Sequence, residues 1–255
     1  MSYEHALAEA TELGYAEADP SADVDGLDAA RKMVILSSLA FSTEVHLDDV
    51  LVRGMKEIRH GHLEIAAEFG HTMKMVGSSK KNEDGIEVAV EPVFLSNSHL
   101  LASVNNELNA VYIYGDAVGE TMLYGPGAGS LPTATSVVSD IIAACRNLLL
   151  EVNGKRVHAA QHESEIKTDK HCYAKYLHRL LVKDEVGVLS KLTSIYSHHN
   201  ASLRSVKQNP AANGKAEIIL LTHKISRKQH LDVIQDLEGT ASVISHYRIE
   251  GEETA

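Results

Sequence analysis

Residues 3–13 carry Ala, Leu and Glu at helical spacing and stop at Gly14, which predicts a short opening helix. Residues 14–26 are rich in Asp, Gly and Pro, a composition that predicts an ordered loop without regular structure. Asp25 is placed to N-cap a helix starting near Gly26. From Met33 to Phe41 that helix is apolar on every side except at Ser37 and Ser38, so it is expected to be buried. A helix over 63–69 follows, then strands over 72–76, 86–94 and 110–113, where β-branched residues alternate or cluster between Gly and Asn breaks. Gly115 and Asp116 predict a hairpin turn, Gly119 and Glu120 a strand entry, and the glycine cluster at 125–129 precedes a long helix over 133–150. The first 150 residues therefore read as an α+β unit with helices packed on a mixed β-sheet.

The pattern turns polar over residues 151–170, the expected linker. Residues 171–255 then predict strand 173–182, helix 188–198, strand 202–208, an Asn-Pro-Ala-Ala-Asn-Gly hairpin, strand 215–223, helix 226–237 and strand 241–249. That order, βαββαβ, is the ferredoxin-like split unit.

A length of 255 residues fits two domains with sizeable cores, and 44% apolar against 23% charged residues excludes wholesale disorder. The formal net charge of -11 argues against nucleic acid or an anionic membrane surface as partner. Asp140 and Arg146 interrupt the longest apolar run, so no membrane-spanning segment is expected. Two cysteines, Cys145 and Cys172, and the lack of an export-type leader predict a reducing, cytoplasmic location. The histidines are scattered; His60 and His62 form an HGH turn with no third ligand at metal spacing, so they read as loop histidines and no metal site is expected.

Asp28 and Lys32 stand four apart in the first turns of the apolar helix, on one face. Spacing alone leaves two readings open: a surface ion pair, or a pair drawn out of solvent, where an ion persists only if paired or used. In the second, the helix N-terminus opposes the ammonium and Asp28 favours it, which suits a general acid and base. Glu17, Asp19 and Asp23 are carboxylates able to hold an amino group or hydroxyl, or to serve as turn and cap residues.

The run Leu13-Gly14-Tyr15-Ala16-Glu17-Ala18-Asp19-Pro20, then Asp23-Val24-Asp25-Gly26-Leu27-Asp28-Ala29-Ala30-Arg31-Lys32 before an apolar helix, closely resembles the signature of homoserine dehydrogenases. The resemblance implies an NAD(P)-dependent interconversion of L-aspartate 4-semialdehyde and L-homoserine, a step toward threonine, methionine and isoleucine. By the same motif Lys32 resembles the residue that passes the proton to and from the substrate oxygen, with Asp28 its partner. Glu17, Asp23 and Tyr15 resemble substrate-binding residues, and Gly129, within Gly125-Pro126-Gly127-Ala128-Gly129, resembles a glycine that contacts the NADP or NAD cofactor.

The second unit resembles an ACT domain, a regulatory module for amino acids. Its marker is Val182-Lys183-Asp184-Glu185-Val186-Gly187-Val188-Leu189-Ser190-Lys191-Leu192, with Asn200 after the helix. The resemblance implies an effector site at Asp184, Gly187, Val188 and Asn200, threonine as the suggested effector, and a homodimer; Val186 replaces the usual proline. No Gly-x-Gly-x-x-Gly follows a strand near the start. The expectation is therefore a C-terminal part of the enzyme, inactive alone, divided into 1–150 substrate domain, 151–170 linker and 171–255 ACT domain. The alternative is a non-enzymatic, amino-acid-sensing dimerisation module built on the same domains.

Overall fold

The structure, a computed structural model, describes residues 3–15, 19–152 and 165–251. Helices α1 (Tyr3–Glu12), α2 (Ser21–Val24) and α3 (Leu27–Phe41) lead to the two-residue strand β1 (Leu51–Val52) and helix α4 (His60–Glu68). Strands β2 (His71–Asn82) and β3 (Gly85–Ser96) form a long hairpin, and β4 (Leu108–Gly115) and β5 (Gly119–Pro126) a second, before the twenty-residue helix α5 (Ser130–Leu149). The C-terminal segment runs β6 (Tyr173–Lys183), α6 (Val188–His198), β7 (Leu203–Ala211), β8 (Lys215–Thr222), the short β9 (Ile225–Ser226), α7 (Arg227–Glu238) and β10 (Ser242–Glu250).

Among the described residues one eight-stranded mixed sheet runs β1-β3-β10-β6-β8-β7, with β2 on the other edge of β3 and β9 on β6. Within it β10-β6-β8-β7 has the fourth-first-third-second order of a ferredoxin-like unit, so the βαββαβ expectation holds. The two halves of the chain meet where β10 runs parallel to β3 through Arg248↔Val93, Ile249↔Phe94 and Glu250↔Leu95.

Alternation along β6 and β8 explains how the sheet is covered on both faces. Leu180, Val182, Ile218 and Leu220 point to α6 and α7, packing with Leu192, Tyr196, Val233 and Leu237. Leu177, Ile219 and Leu221 point the other way, onto Ile65 and Ala66 of α4 together with Phe94 and Tyr247. Tyr247 ties the halves: it stacks on Phe94 at 5.1 Å, its hydroxyl bonds His62 Nδ1 at 2.9 Å, and the Arg53 guanidinium lies 5.0 Å from its ring.

A buried charge cluster lies at the same seam. Arg248 Nη1 meets Glu87 at 2.5 Å and Glu91 at 3.6 Å, and its Nε meets Glu250 at 2.6 Å. Burial holds the Glu91 carboxyl above the usual range despite Arg248. Burial also opposes ionisation of Glu250, but Arg248 and Lys80 outweigh it and hold that carboxyl low.

Several expectations from the sequence are corrected. The helix over 33–41 is not buried all round: Ile35, Leu36 and Leu39 are 60%, 40% and 50% exposed. Its serines face inward instead, because Ser37 Oγ bonds Ser79 Oγ of β2 at 2.8 Å and Ser38 Oγ accepts from the Val45 amide. The segment 14–26 is not wholly irregular, since α2 forms within it. Asp25 does not cap α3; Gly26 occupies that position, and the Asp25 carboxylate turns to Lys56. His60 and His62 stand on the first turn of α4 rather than in a loop, with His62 buried against Tyr247.

Candidate functional site

The start of α3 is fixed by close backbone packing. Gly26 has φ +79°, and a Cβ there would lie 2.7 Å from Met75 Cε and 3.2 Å from Val90 Cγ1, so only glycine fits without displacement. Val24 is buried, its carbonyl accepts from the Met55 amide at 2.9 Å, and Gly54 packs directly against it. Lys56, which spacing along the sequence did not single out, clamps Asp25 at 2.7 Å from the other side. Asp19 accepts from the Ser21 amide at 3.1 Å as an Asx turn, and the Ser21 hydroxyl first and its amide second hold the Asp19 carboxyl below the ordinary range.

On this frame Asp28 and Lys32 pair across one helical turn at 2.6 Å, with 40% and 69% of their side chains exposed. The pair is therefore solvent-facing in this chain, not drawn out of water as the apolar flanks suggested. At such exposure an i,i+4 ion pair adds only about 0.3–0.5 kcal/mol to the helix. What α3 contributes is placement: an ammonium held beside a carboxylate at the end of a short acidic segment. Asp23 is exposed on α2, next to that pair in sequence. Glu17 lies outside the described residues.

Tyr15 and Gly129 are brought together, although 114 positions separate them. They line an open cleft of about 560 Å³ with Gly14, Gly127, Ala128, Ser130, Thr133 and Ala134. Gly129 takes φ +112° as the N-cap of α5, and Ser130, the first residue of that helix, lines the same cleft. Gly127 sits so near Asn109 that a Cβ would lie 1.7 Å from its Nδ2. Asp28 and Lys32 do not line this cleft.

In the second unit Gly187 adopts φ +90° as the N-cap of α6, with Val188 opening the helix. Asp184 is anchored by its amide on the Gly214 carbonyl at 3.0 Å and by Gln208 on its carboxylate at 3.2 Å. Asn200 is not with them. It turns the chain in the left-handed region (φ +52°) beyond the C-terminal end of α6, roughly 15–20 Å away by helix rise.

The surface around α3 and α5 is apolar and uncovered. None of the described residues of α5 is buried, and Val137, Val138, Ile141 and Ile142 lie open, as do Ile113, Tyr114 and Leu123 of the β4–β5 hairpin.

Comparison with known proteins converges on one family. The homoserine dehydrogenase family model matches residues 1–142. The homoserine dehydrogenase of Bacillus subtilis is 47% identical over 254 residues, spanning 98% of this chain and 59% of its own length. That of Helicobacter pylori is 38% identical over 244 residues, 95% of this chain and 57% of its own. Among solved structures, a homoserine dehydrogenase from Thiobacillus denitrificans superposes with TM-score 0.87 at 32% identity, covering 98% of this chain and 59% of that one. The S. aureus homoserine dehydrogenase at pH 6.5 gives 0.72 at 33% identity, with coverages of 99% and 60%. The chain thus spans somewhat under three fifths of the length of the curated relatives named here.

Proposed function

The chain belongs to the homoserine dehydrogenase family, and from that premise we propose that it supplies the substrate-binding side of an NAD(P)-dependent oxidoreductase interconverting L-homoserine and L-aspartate 4-semialdehyde. The observation that carries the reading is the Asp28–Lys32 pair at 2.6 Å, presented to solvent on a helix whose start is locked by Gly26, Gly54 and Lys56. An amine placed this way gives a proton to the substrate oxygen as negative charge develops there, and accepts it in the reverse direction. Asp28 keeps the ammonium in register, while Glu17 and Asp23 are the substrate ligands we assign, with Glu17 at the amino-group end.

The nicotinamide, when bound, supplies or accepts the hydride. The residues present fit one edge of such a group: the cleft joining Tyr15 to the 127–130 turn brings bare backbone and the first amides of α5 to one place. Gly129 is the contact we assign to it, Tyr15 the wall opposite. Nothing in this cleft selects NADPH over NADH.

The C-terminal unit we read as an ACT domain following the 151–170 linker, with the 1–150 unit as the substrate domain. Its Asp184–Val188 loop leads into the N-terminus of α6, where Gly187 in the left-handed region leaves bare backbone for the carboxylate of an amino-acid effector, threonine being the first to test. Asn200, at the far end of α6, reaches that site only from a second copy, which agrees with a homodimer paired through the uncovered apolar surfaces. Among the described residues no helix is long and apolar enough to cross a membrane, and we place the protein in the cytoplasm.

A chimera in which this chain replaces the matching region of the Bacillus subtilis relative tests the assignment. It should reduce NAD(P)+ in the presence of homoserine. A folded chimera that binds the cofactor without turnover would overturn the reading and favour an amino-acid-sensing module.

A further inference from the structure

Helices α6 and α7 lie side by side on one face of the sheet, and their C-terminal ends bring together three side chains that none of the chemistry above uses. His198 and His199 close α6, and Asp236 stands near the end of α7. One potential ligand atom from each lies within 4.8 Å of the other two. His199 Nε2 is 2.8 Å from Asp236 Oδ2, and the two imidazole rings stand 4.9 Å apart at 73°.

The backbone holds this corner in place. Asn200 reverses the chain at φ +52°, and Gln229 of α7 donates Nε2 to the carbonyls of both His199 (2.9 Å) and Asn200 (3.1 Å). His199 is thereby pinned with only 17% of its side chain exposed, while Asp236 stays open at 49%. The cluster is one step from coordination geometry. Ligands at about 2.0–2.1 Å from a tetrahedral ion lie about 3.3–3.4 Å from one another. The His199–Asp236 contact would open slightly, and His198 would swing inward by a side-chain rotation at an exposed position.

We propose that His198, His199 and Asp236 form a surface site for a divalent transition-metal ion, Zn2+ first, that ties the C-terminal ends of α6 and α7 together. Two imidazoles and one carboxylate suit zinc and its borderline neighbours rather than Mg2+ or Ca2+, which prefer all-oxygen shells. The remaining positions fall to water, so the site is open and exchangeable. The inference does not rest on the catalytic assignment, because its three side chains stand on α6 and α7 of the C-terminal unit whereas Asp28 and Lys32 stand on α3.

The test is a Zn2+ titration of the chain without a polyhistidine tag, read by competition with a chromophoric chelator and by thermal melting with and without metal. Expected are one tight equivalent per chain and a Zn2+-dependent rise in Tm. His198→Ala and Asp236→Asn, both at exposed positions, should each weaken that equivalent at least about tenfold and abolish the rise in Tm. Circular dichroism checks that each variant is folded, and His199→Gln serves as a third if either is not. Saturable binding that is unchanged in the variants, or no saturable binding in the parent chain, overturns the proposal.

Discussion

Acid should unfold the C-terminal unit through three histidines that the fold keeps neutral. His178 is fully buried between α6 and α7, bonded through Nδ1 to the Tyr196 hydroxyl at 2.5 Å and through Nε2 to His230 Nδ1 at 2.9 Å. His230 stacks on Tyr176 at 3.9 Å, and its ring centroid is 4.9 Å from that of His246. Burial pushes His178 down to about 3 and His246, beside Arg53, down to about 4. Burial and the neighbouring histidines depress His230 as well. An unfolded imidazole titrates near pH 6.5, so the unfolded chain takes up protons that the native rings refuse. Stability is therefore full above about pH 6.5 and falls as the pH drops toward the depressed native values. Between pH 7 and pH 5 each such ring removes about 2 kcal/mol, or about 6 kcal/mol for the three, a large part of a typical 5–15 kcal/mol. Glu91, held high by burial, offsets a fraction of this as it takes a proton in the native state. Urea unfolding followed by circular dichroism at both pH values gives the difference directly. His178→Gln should be less stable at pH 7 but lose about a third of the pH dependence. A parent chain whose unfolding free energy changes by under about 1 kcal/mol between the two pH values would refute the neutral-triad account.

Gly26→Ala forces a side chain into the left-handed region and against Met75 and Val90, and should cost about 2 kcal/mol in urea unfolding; an unchanged midpoint would show that the start of α3 is not locked as described. Arg248→Met strands Glu87, Glu91 and Glu250 at the β3–β10 seam and should cost about 3–5 kcal/mol near pH 7, with partial recovery as the pH falls and the carboxylates protonate. A loss that does not lessen with acid would place the cost in packing rather than charge.

The βαββαβ unit was legible in the sequence because its strands alternate cleanly and its turns carry Gly and Asn where the backbone needs them. Helix α3 was legible as an element but not in its orientation. A helix apolar on nearly all sides does not reveal which side meets the core, and Ser37 is buried where Ser79, 42 residues away, offers it a partner. The same distance problem hid the neutral triad, since His178 and His230 are 52 positions apart, and it hid the His198–His199–Asp236 corner. The Asp28–Lys32 spacing was readable and the pair formed, whereas its exposure depends on what covers α3, which local pattern does not encode. Asn200 belonged to the same sequence marker as Gly187, yet a helix of eleven residues holds them apart.

The central claim is that Lys32 moves the proton. In the chimera carrying this chain, Lys32→Ala should lower kcat for homoserine oxidation by about a thousandfold or more while KM changes little and the fold is kept. Turnover within tenfold of the unsubstituted chimera would contradict it.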